Sequence, residues 1–468
     1  MFQHGHLDPK VLLFWASAAL LGLLMLFLPL PFASVVPWAQ TVLQLTAFLL
    51  LAAAAATSPR SASLSATWPA AFLAAISLLA LVQAASWSAA IVRGISPQHA
   101  ALASSAGELL GRVELPRVAL SLAPSVSRSA ALTWVAVAAS LLAAAWLGTS
   151  RSVRRALAAT LLAAALFQVF LGAWRLANEP AVIWGVAVPG SATRLRGTFV
   201  NADHLAVYLE MALAVAFAWG WWAWRRAQAT QTLERRILYL GPPALVWLTL
   251  FTGLAFTGSR AGLAAAIAGA LAQGTLLALR RRRWRLGASG VLVTVAGLGA
   301  VAFAGLEQGL GRWLATSPYE VAWNVRLAVY RSAFELWQRF PLTGSGLATF
   351  REAFALVAGK DSGDGTYFHA HNDYLELLVT TGAIGTLLVA SGVAVALIGL
   401  GRGLENGARS EDRAAALAAL GAWAAIAVHS CFDFGLSMPA ISATLAVLTG
   451  AALAAGARHS HAEAGSAV

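Results

Sequence analysis

Two histidines, an asparagine and an aspartate stand directly before an apolar stretch in YFHAHNDYLELLVTTGAIG, residues 367–385. A neutral imidazole can take a proton from a hydroxyl group near neutral pH. His371 is therefore the candidate general base, Asn372 is a candidate for fixing its ring or a bound substrate, and His369 is a candidate supporting residue. Zinc binding is disfavoured because no cysteine or further histidine lies nearby in the sequence. A purely structural role remains open for each histidine.

The residues that follow can serve the helix itself. Asp373 and Glu376 are three residues apart and resemble a capping box, in which acceptors at the start of a helix satisfy unpaired backbone donors. Gly382 and Gly385 are also three apart, so they would share one helix face and allow close packing against a neighbouring helix. The pattern favours a structural role for the two glycines and leaves both roles open for the two acids.

Arginines form a second group that could do chemistry. Arginine stays charged beside lipid, and its planar fork pairs with two oxygens of a phosphate. Arg260 opens an apolar stretch within GSRAG, and a helix N-terminus favours anions. Ion pairs, contacts with lipid headgroups and, for Arg260, an interfacial position are the alternatives. An anionic ligand would account for the candidates, which are Arg194, Arg196, Arg260, Arg326 and Arg331.

His429 and Asp433 are four residues apart near the end of another apolar stretch, so we expect them to share one helix face. An ionisable pair inside a membrane segment is a functional candidate by default, and both residues are assigned a supporting role. A polar contact that only joins two helices is an equally open interpretation.

Composition indicates that these residues lie on membrane helices. The chain has 468 residues, of which 59% are hydrophobic and 11% charged, and its mean hydropathy is +0.71. Crossing a bilayer takes about 20 apolar residues. The sequence therefore predicts an all-α, polytopic integral membrane protein with about twelve spans, at 11–30, 38–57, 68–90, 129–148, 156–176, 204–224, 237–257, 261–279, 287–306, 374–398, 415–434 and 437–456. The first span lacks the features of a removable signal peptide.

Charge distribution predicts the orientation of this single transmembrane domain, residues 1–468. The net charge of +12 comes mainly from arginine-rich short loops such as RRRRWR at 280–285. With a cytoplasmic N-terminus these loops fall on one side, as the positive-inside rule requires, and nucleic-acid binding is disfavoured. The segments 91–128, 177–203 and 307–373 then lie outside. The long loop 307–373 precedes the tenth span and contains a predicted amphipathic helix at 320–340, because apolar residues recur there at spacings of three and four.

Several motifs together resemble a known family. His371 and Asn372, nine residues, Gly382, two residues and Gly385 form a pattern similar to the signature of bacterial O-antigen ligases and the related O-antigen polymerases. Four further stretches fall in the order of that family: RLRGTFVNADHLAVYL at 194–209, TGSRAG at 257–262, NVRLAVYRSAFELWQRFPLTGSGLATF at 324–350 and HSCFDF at 429–434.

The resemblance implies a GT-C-like membrane glycosyltransferase in the bacterial inner (cytoplasmic) membrane, with its active site facing the periplasm. Its donor would be a glycan on undecaprenyl diphosphate, and its acceptor a hydroxyl of the lipid A core for a ligase or of another glycan for a polymerase. Such enzymes use neither a nucleotide sugar nor a metal or other cofactor. His371, Arg260 and Arg196 would be catalytic, and Arg194, Arg326, Arg331 and Asn372 would bind the diphosphate or substrate.

The sequence departs from the family pattern at one place, and two other classes of protein are also compatible with it. Many relatives carry a glutamate just before the first glycine of the signature, whereas Val379, Thr380 and Thr381 precede Gly382 here. A transporter of lipid-linked glycans would place charges near the middle of the membrane, often in interrupted helices. A non-catalytic partner in polysaccharide assembly would not need His371 or the arginines. The unbroken signature favours the ligase over the polymerase.

Overall fold

The computed structural model describes residues 8–57, 64–111, 116–179, 181–188, 193–230, 232–281, 321–358 and 367–456, and it confirms an all-α, polytopic membrane protein. The helices are α1 (Pro9–Phe27), α2 (Pro37–Thr57), α3 (Leu64–Ala84), α4 (Ala89–Ile95), α5 (Pro97–Leu109), α6 (Pro124–Leu147), α7 (Arg151–Asn178), α8 (Ala202–Ala227), α9 (Leu233–Phe256), α10 (Arg260–Arg281), α11 (Val321–Arg339), α12 (Phe350–Phe354), α13 (Asp373–Asn406), α14 (Ser410–His429) and α15 (Pro439–Gly456). Two short antiparallel strand pairs lie between helices: β1 (Ser86–Ser88) with β2 (Arg117–Ala119), and β3 (Val182–Ile183) with β4 (Val186–Ala187).

Among the described residues, ten helices are long and apolar enough to cross a membrane: α1, α2, α3, α6, α7, α8, α9, α10, α13 and α15. Of the other two predicted spans, the one at 287–306 lies outside the described residues. The one at 415–434 corresponds to α14, which is helical but is not among the ten. Charged residues in its first turns shorten its apolar part.

Small residues let the innermost helices approach closely. α15 is buried along almost its whole length, and α8 along most of it. A Cβ on Gly450 of α15 would lie 2.1 Å from the carbonyl oxygen of Leu141 in α6. Because lipid tails are as apolar as leucine, helices in a membrane associate through such close contacts rather than through the hydrophobic effect. α8 contacts α9, α10 and α14.

α13 is interrupted at Gly382, where φ is 63° and ψ is −169°. Essentially only glycine adopts this conformation. A Cβ there would lie 2.3 Å from the carbonyl oxygen of Leu342, in the loop after α11. The prediction that Gly382 packs one helix against another is therefore wrong, because the residue breaks its own helix and lets a loop approach. Gly385 does face a helix, since its Cβ would lie 3.1 Å from Leu79 of α3.

The loop after α11, residues 341–347, replaces hydrogen bonds that α13 loses at this break. A buried backbone group without a hydrogen bond is costly, so an interrupted helix must find new partners. Four backbone N–H groups donate to carbonyl oxygens of the other segment. The N–H groups of Ser345 and Gly346 donate to Val379 over 2.9 Å and to Thr380 over 3.0 Å, and those of Ala383 and Ile384 donate to Pro341 over 2.9 Å and to Leu342 over 3.2 Å.

A buried glutamine of α3 joins the same two segments. The Nε2 atom of Gln83 donates to the carbonyl oxygens of Thr343, over 2.5 Å, and Thr380, over 3.0 Å. Its Oε1 atom accepts from the backbone N–H of Leu347 over 3.0 Å. α3, the loop 341–347 and α13 are therefore held as one assembly, which positions α11 beside the start of α13.

We expect Gly382→Ala to lower the stability of the folded protein by about 3 kcal/mol or more, because the new Cβ must adopt a strained conformation and displace the loop. Thermal unfolding of the purified protein in detergent measures this loss. Gly401→Ala is the matched control on the same helix, since no atom lies within 4 Å of its Cβ position. That variant should equal or slightly exceed the wild type in stability. Equal stability of both variants would contradict the structural role assigned to Gly382.

Candidate functional site

The candidate site lies where α8 and α13 begin and α9 and α14 end, and the turn at 430–437 is tied to the first residues of α13. The side chain of Asn372 caps α13 by accepting from the N–H of Leu375 over 3.0 Å, and it donates to the carbonyl oxygen of Cys431 over 3.1 Å. Asp373 accepts from the hydroxyl of Ser430 over 2.8 Å and from the N–H of Leu436 over 3.2 Å. The expected capping box is therefore wrong, because Asn372 is the cap and Asp373 binds the turn.

His371 is held from both its ring and its backbone. Its Nδ1 atom lies 3.2 Å from Oδ1 of Asp433, and its backbone has a φ of 52°, which is unusual for a residue other than glycine. The hydroxyl of Tyr330 in α11 donates to the carbonyl oxygen of His371 over 2.8 Å. Because an ionised carboxylate only accepts hydrogen bonds, Nδ1 is the donor and Nε2 carries the lone pair of the neutral ring. The side chain is 32% exposed, so a substrate can reach it.

Asp433 is the buried partner of that ring. Burial raises the pKa of the Asp433 carboxyl group, but the hydrogen bond from His371 and the charges of His204, His429 and His371 together outweigh it and hold that pKa below its usual range. The second carboxylate oxygen lies 3.7 Å from Nε2 of His204, the third residue of α8. The expectation that His429 and Asp433 share a helix face is wrong, since α14 ends at His429 and Asp433 lies in the turn that follows.

His369 is bound to α13 rather than directed at a substrate. Its Nδ1 atom lies 2.8 Å from Oε1 of Glu376, whose other oxygen accepts from the N–H of Ala370 over 2.9 Å. Burial lowers the pKa of His369, but the hydrogen bond and negative charge of Glu376 outweigh it and raise the pKa. The ring also stacks on Phe434 with centroids 3.9 Å apart. These contacts hold the ring of His369 in place, and its supporting role stays a prediction.

Phe434 joins three imidazoles of the site. Besides stacking on His369, its ring meets His204 edge to face at 4.6 Å and His371 edge to face at 5.0 Å. One aromatic side chain next to Asp433 thus packs against residues from the loop before α13 and from α8. This contact limits how far the three rings can move relative to one another.

His429 contacts a residue that the sequence analysis did not single out. Its Nδ1 atom lies 2.6 Å from Oε1 of Glu210 in α8, and both side chains are fully buried. Glu210 lies inside an apolar stretch and is seven residues, or about two helical turns, after Asp203. The rule that ionisable residues within membrane segments are functional candidates could have identified it.

Arg194 links α9 to the start of α8. Its Nη2 atom lies 2.6 Å from Oδ1 of Asp203, and its Nε atom donates to the carbonyl oxygen of Thr257 over 2.6 Å. Thr257 follows α9 directly, and Arg260 is the first residue of α10 three positions later. Since Asp203 is next to His204 in the chain, Arg194 and Arg260 lie at the same end of the helices as Asp433.

Arg196 lies in a strongly positive region. Its side chain is buried, and burial together with the charge of Arg194 lowers the pKa of its guanidinium. Arg175, near the end of α7, is also buried, donates to the carbonyl oxygen of Gly197, and is close enough for its charge to act on Arg196. Arg175 lies in an apolar stretch without a motif, so its place in this region could not be predicted from the sequence.

The two remaining arginines lie on α11. Arg326 is four residues before Tyr330, and its positive charge opposes the burial that raises the pKa of that phenol. It therefore lies near the group that holds the backbone of His371. Arg331 is exposed, and no described contact joins it to these residues. In the described part of the chain, no three His, Cys, Asp or Glu side chains are grouped to hold a metal ion.

Most of the candidate residues predicted from the sequence thus lie at one end of the helix bundle. Contacts connect His371 and Asp433 to His204, and through α8 to Asp203, Arg194 and Arg196. The arrangement has a histidine oriented by a buried carboxylate beside several arginines, a combination suited to proton removal next to a negatively charged group.

Comparison with known proteins agrees with the motifs. No curated protein matches the chain. Residues 244–390 match the family model described as O-antigen ligase. The matched segment runs from α9 to the middle of α13 and includes Arg260, Arg326, Arg331, His369, His371 and Asn372. The match confirms the resemblance found in the sequence and is consistent with a multi-pass membrane protein of the O-antigen ligase superfamily.

Proposed function

We propose that this protein is a membrane glycosyltransferase that moves a glycan from undecaprenyl diphosphate to an acceptor hydroxyl at the periplasmic face of the bacterial inner membrane. The O-antigen ligase family supports a ligase- or polymerase-type function. The observation that carries the proposal is the hydrogen bond between His371 Nδ1 and the buried Asp433 carboxylate at the arginine-rich end of the bundle.

His371 acts as the general base. With its Nδ1–H directed at Asp433, Nε2 takes the proton of the acceptor hydroxyl as the oxygen attacks the anomeric carbon of the donor. Asp433 keeps the ring in the correct tautomer and orientation and stabilises the imidazolium that forms. The new glycosidic bond forms as the bond between the anomeric carbon and the diphosphate oxygen breaks, and undecaprenyl diphosphate leaves with the electron pair. His371 then returns its proton to water, to which its half-buried ring is open.

The arginines stabilise the leaving group. A diphosphate gains negative charge as its bond to the sugar breaks, so cations held beside it stabilise the transition state more than the bound donor. Arg196 and Arg260 are assigned to this catalytic role, and Arg194 and Arg326 to binding. Arg331 stays a weaker candidate because it is exposed, and Asn372 is assigned to fixing the turn beside His371, since both ends of its amide are bonded.

The acceptor decides between ligase and polymerase. The unbroken signature favours a ligase that delivers the glycan to the lipid A core. A polymerase would use the same donor and the same attack, with a second lipid-linked glycan as acceptor. Reconstituted membranes that contain purified protein and undecaprenyl-diphosphate-linked glycan, with or without lipid A core, distinguish the two products directly.

We expect His371→Ala to lower the rate of glycan transfer in these membranes by about 10²–10⁴-fold, the usual contribution of a general base. Asp433→Asn should also lower kcat strongly with little change in KM, because the amide favours the wrong tautomer of His371. His99→Gln is the matched control, since His99 is a buried histidine of α5 whose Nδ1 atom bonds to the hydroxyl of Ser96, and no described contact joins it to His371 or Asp433. Wild-type transfer rates for His371→Ala, in protein that elutes and unfolds like the wild type, would refute the proposed base.

Arg196→Lys tests the role of the positive region. Lysine keeps the charge but lacks the planar fork, so we expect kcat to fall by about 10²-fold while KM for the donor changes little. Arg117→Lys, on the exposed face of β2, is the control and should behave as wild type. A rise in KM alone, with kcat unchanged, would place Arg196 in ground-state binding and contradict its assignment to the leaving group.

A further inference from the structure

We infer that Glu210 and His429 form a buried anchor that positions Asp433, and through it the proposed general base His371. The inference rests on the proposed function and adds two positioning residues to it. Neither residue is assigned to contact with substrate, because both side chains are fully buried between α8 and α14. Their influence on the reaction must therefore pass through other residues.

The contact between Glu210 and His429 joins α8 to α14. Nδ1 of His429 and Oε1 of Glu210 are 2.6 Å apart, and the pair bonds the last residue of α14 to the interior of α8. A hydrogen bond between an imidazole and a carboxyl group is stronger where water is excluded. Removing one partner leaves the other buried without a hydrogen bond, which lowers the stability of the fold. This contact therefore fixes where α14 ends relative to α8.

Backbone hydrogen bonds join His429 to the turn that carries Asp433. The carbonyl oxygen of His429 accepts from the N–H of Phe432 over 2.8 Å and from the N–H of Asp433 over 3.1 Å. The turn that carries Asp433 is thus built on the residue that Glu210 holds. Movement of the end of α14 would move the Asp433 carboxylate away from Nδ1 of His371, to which it has only one hydrogen bond, of 3.2 Å.

Other charged groups surround the anchor. Asp203, Asp433 and His204 lie close enough for their charges to interact with the pair. Oε2 of Glu210 and Nε2 of His429 have no hydrogen-bond partner in the described part of the chain. The one contact between Oε1 and Nδ1 is consequently the direct polar link between the two side chains, and a variant that removes only this link can be designed.

The test compares two substitutions of Glu210 in the glycan-transfer assay. Glu210→Gln keeps an oxygen that can accept from His429, so transfer should stay close to the wild-type rate. Glu210→Leu removes the acceptor, and we expect kcat to fall about a hundredfold with KM unchanged, as for a misplacement of about 1 Å in a catalytic group. Gln273→Ala is the matched control, since Nε2 of Gln273 also joins α8 to α14, through the carbonyl oxygens of Ala214 and Leu417, but away from Asp433.

A double-mutant cycle separates positioning from general loss of structure. If Glu210 acts through Asp433, Glu210→Leu should reduce transfer little further in the Asp433→Asn background, because the interaction it supports is already lost. Independent, multiplicative losses would overturn the inference, as would equal losses for Glu210→Gln and Glu210→Leu, or a loss as large for Gln273→Ala. Unimpaired transfer by His371→Ala contradicts the proposed base itself. A strong loss for His371→Ala with full activity of Glu210→Leu contradicts the anchor alone.

Discussion

The need to give every buried backbone group a hydrogen bond is the constraint on which the rest of this structure depends. Gly382 interrupts α13, and the interrupted helix is stable only because the loop 341–347 supplies four hydrogen bonds across the break. Gln83 adds three more from α3. A loop that must sit in one place to satisfy these groups also fixes the helix that precedes it. α11 therefore presents Tyr330 to the backbone of His371.

At the site, too, single residues make contacts that serve two purposes. The first turn of α13 needs a cap, and Asn372 supplies it while its amide also holds the turn after α14. That turn carries both Asp433, which orients His371, and Phe434, which packs against three imidazoles. Residues that stabilise helix ends thus also determine the geometry of the candidate base. Changes in either set are expected to affect both stability and chemistry.

The sequence predicted more of the fold than of the site. Apolar length alone located ten of the twelve predicted spans, because bilayer thickness sets that length. The spacing of the glycines could not show that Gly382 has a positive φ, since the same sequence would also fit a glycine within a continuous helix. The pairing of His371 with Asp433, 62 residues apart, also depends on how α13 and α14 meet. Glu210 could have been found from sequence, as an acid within an apolar stretch, whereas Arg175 and Tyr330 had no pattern that distinguished them.

The buried arginines give this end of the helix bundle a high density of positive charge, which supports the proposed binding of a diphosphate rather than a neutral ligand. Arg175 and Arg196 are both largely buried and close enough for their charges to repel, with Arg194 beside them. Where exposure to water and salt is low, such charges are weakly screened and produce a strong local potential. This repulsion is overcome during folding, so the positive region is already in place when an anion enters. Charge that develops on a departing diphosphate would be stabilised in the same way, which is the property that a glycosyltransferase with a lipid-diphosphate donor requires.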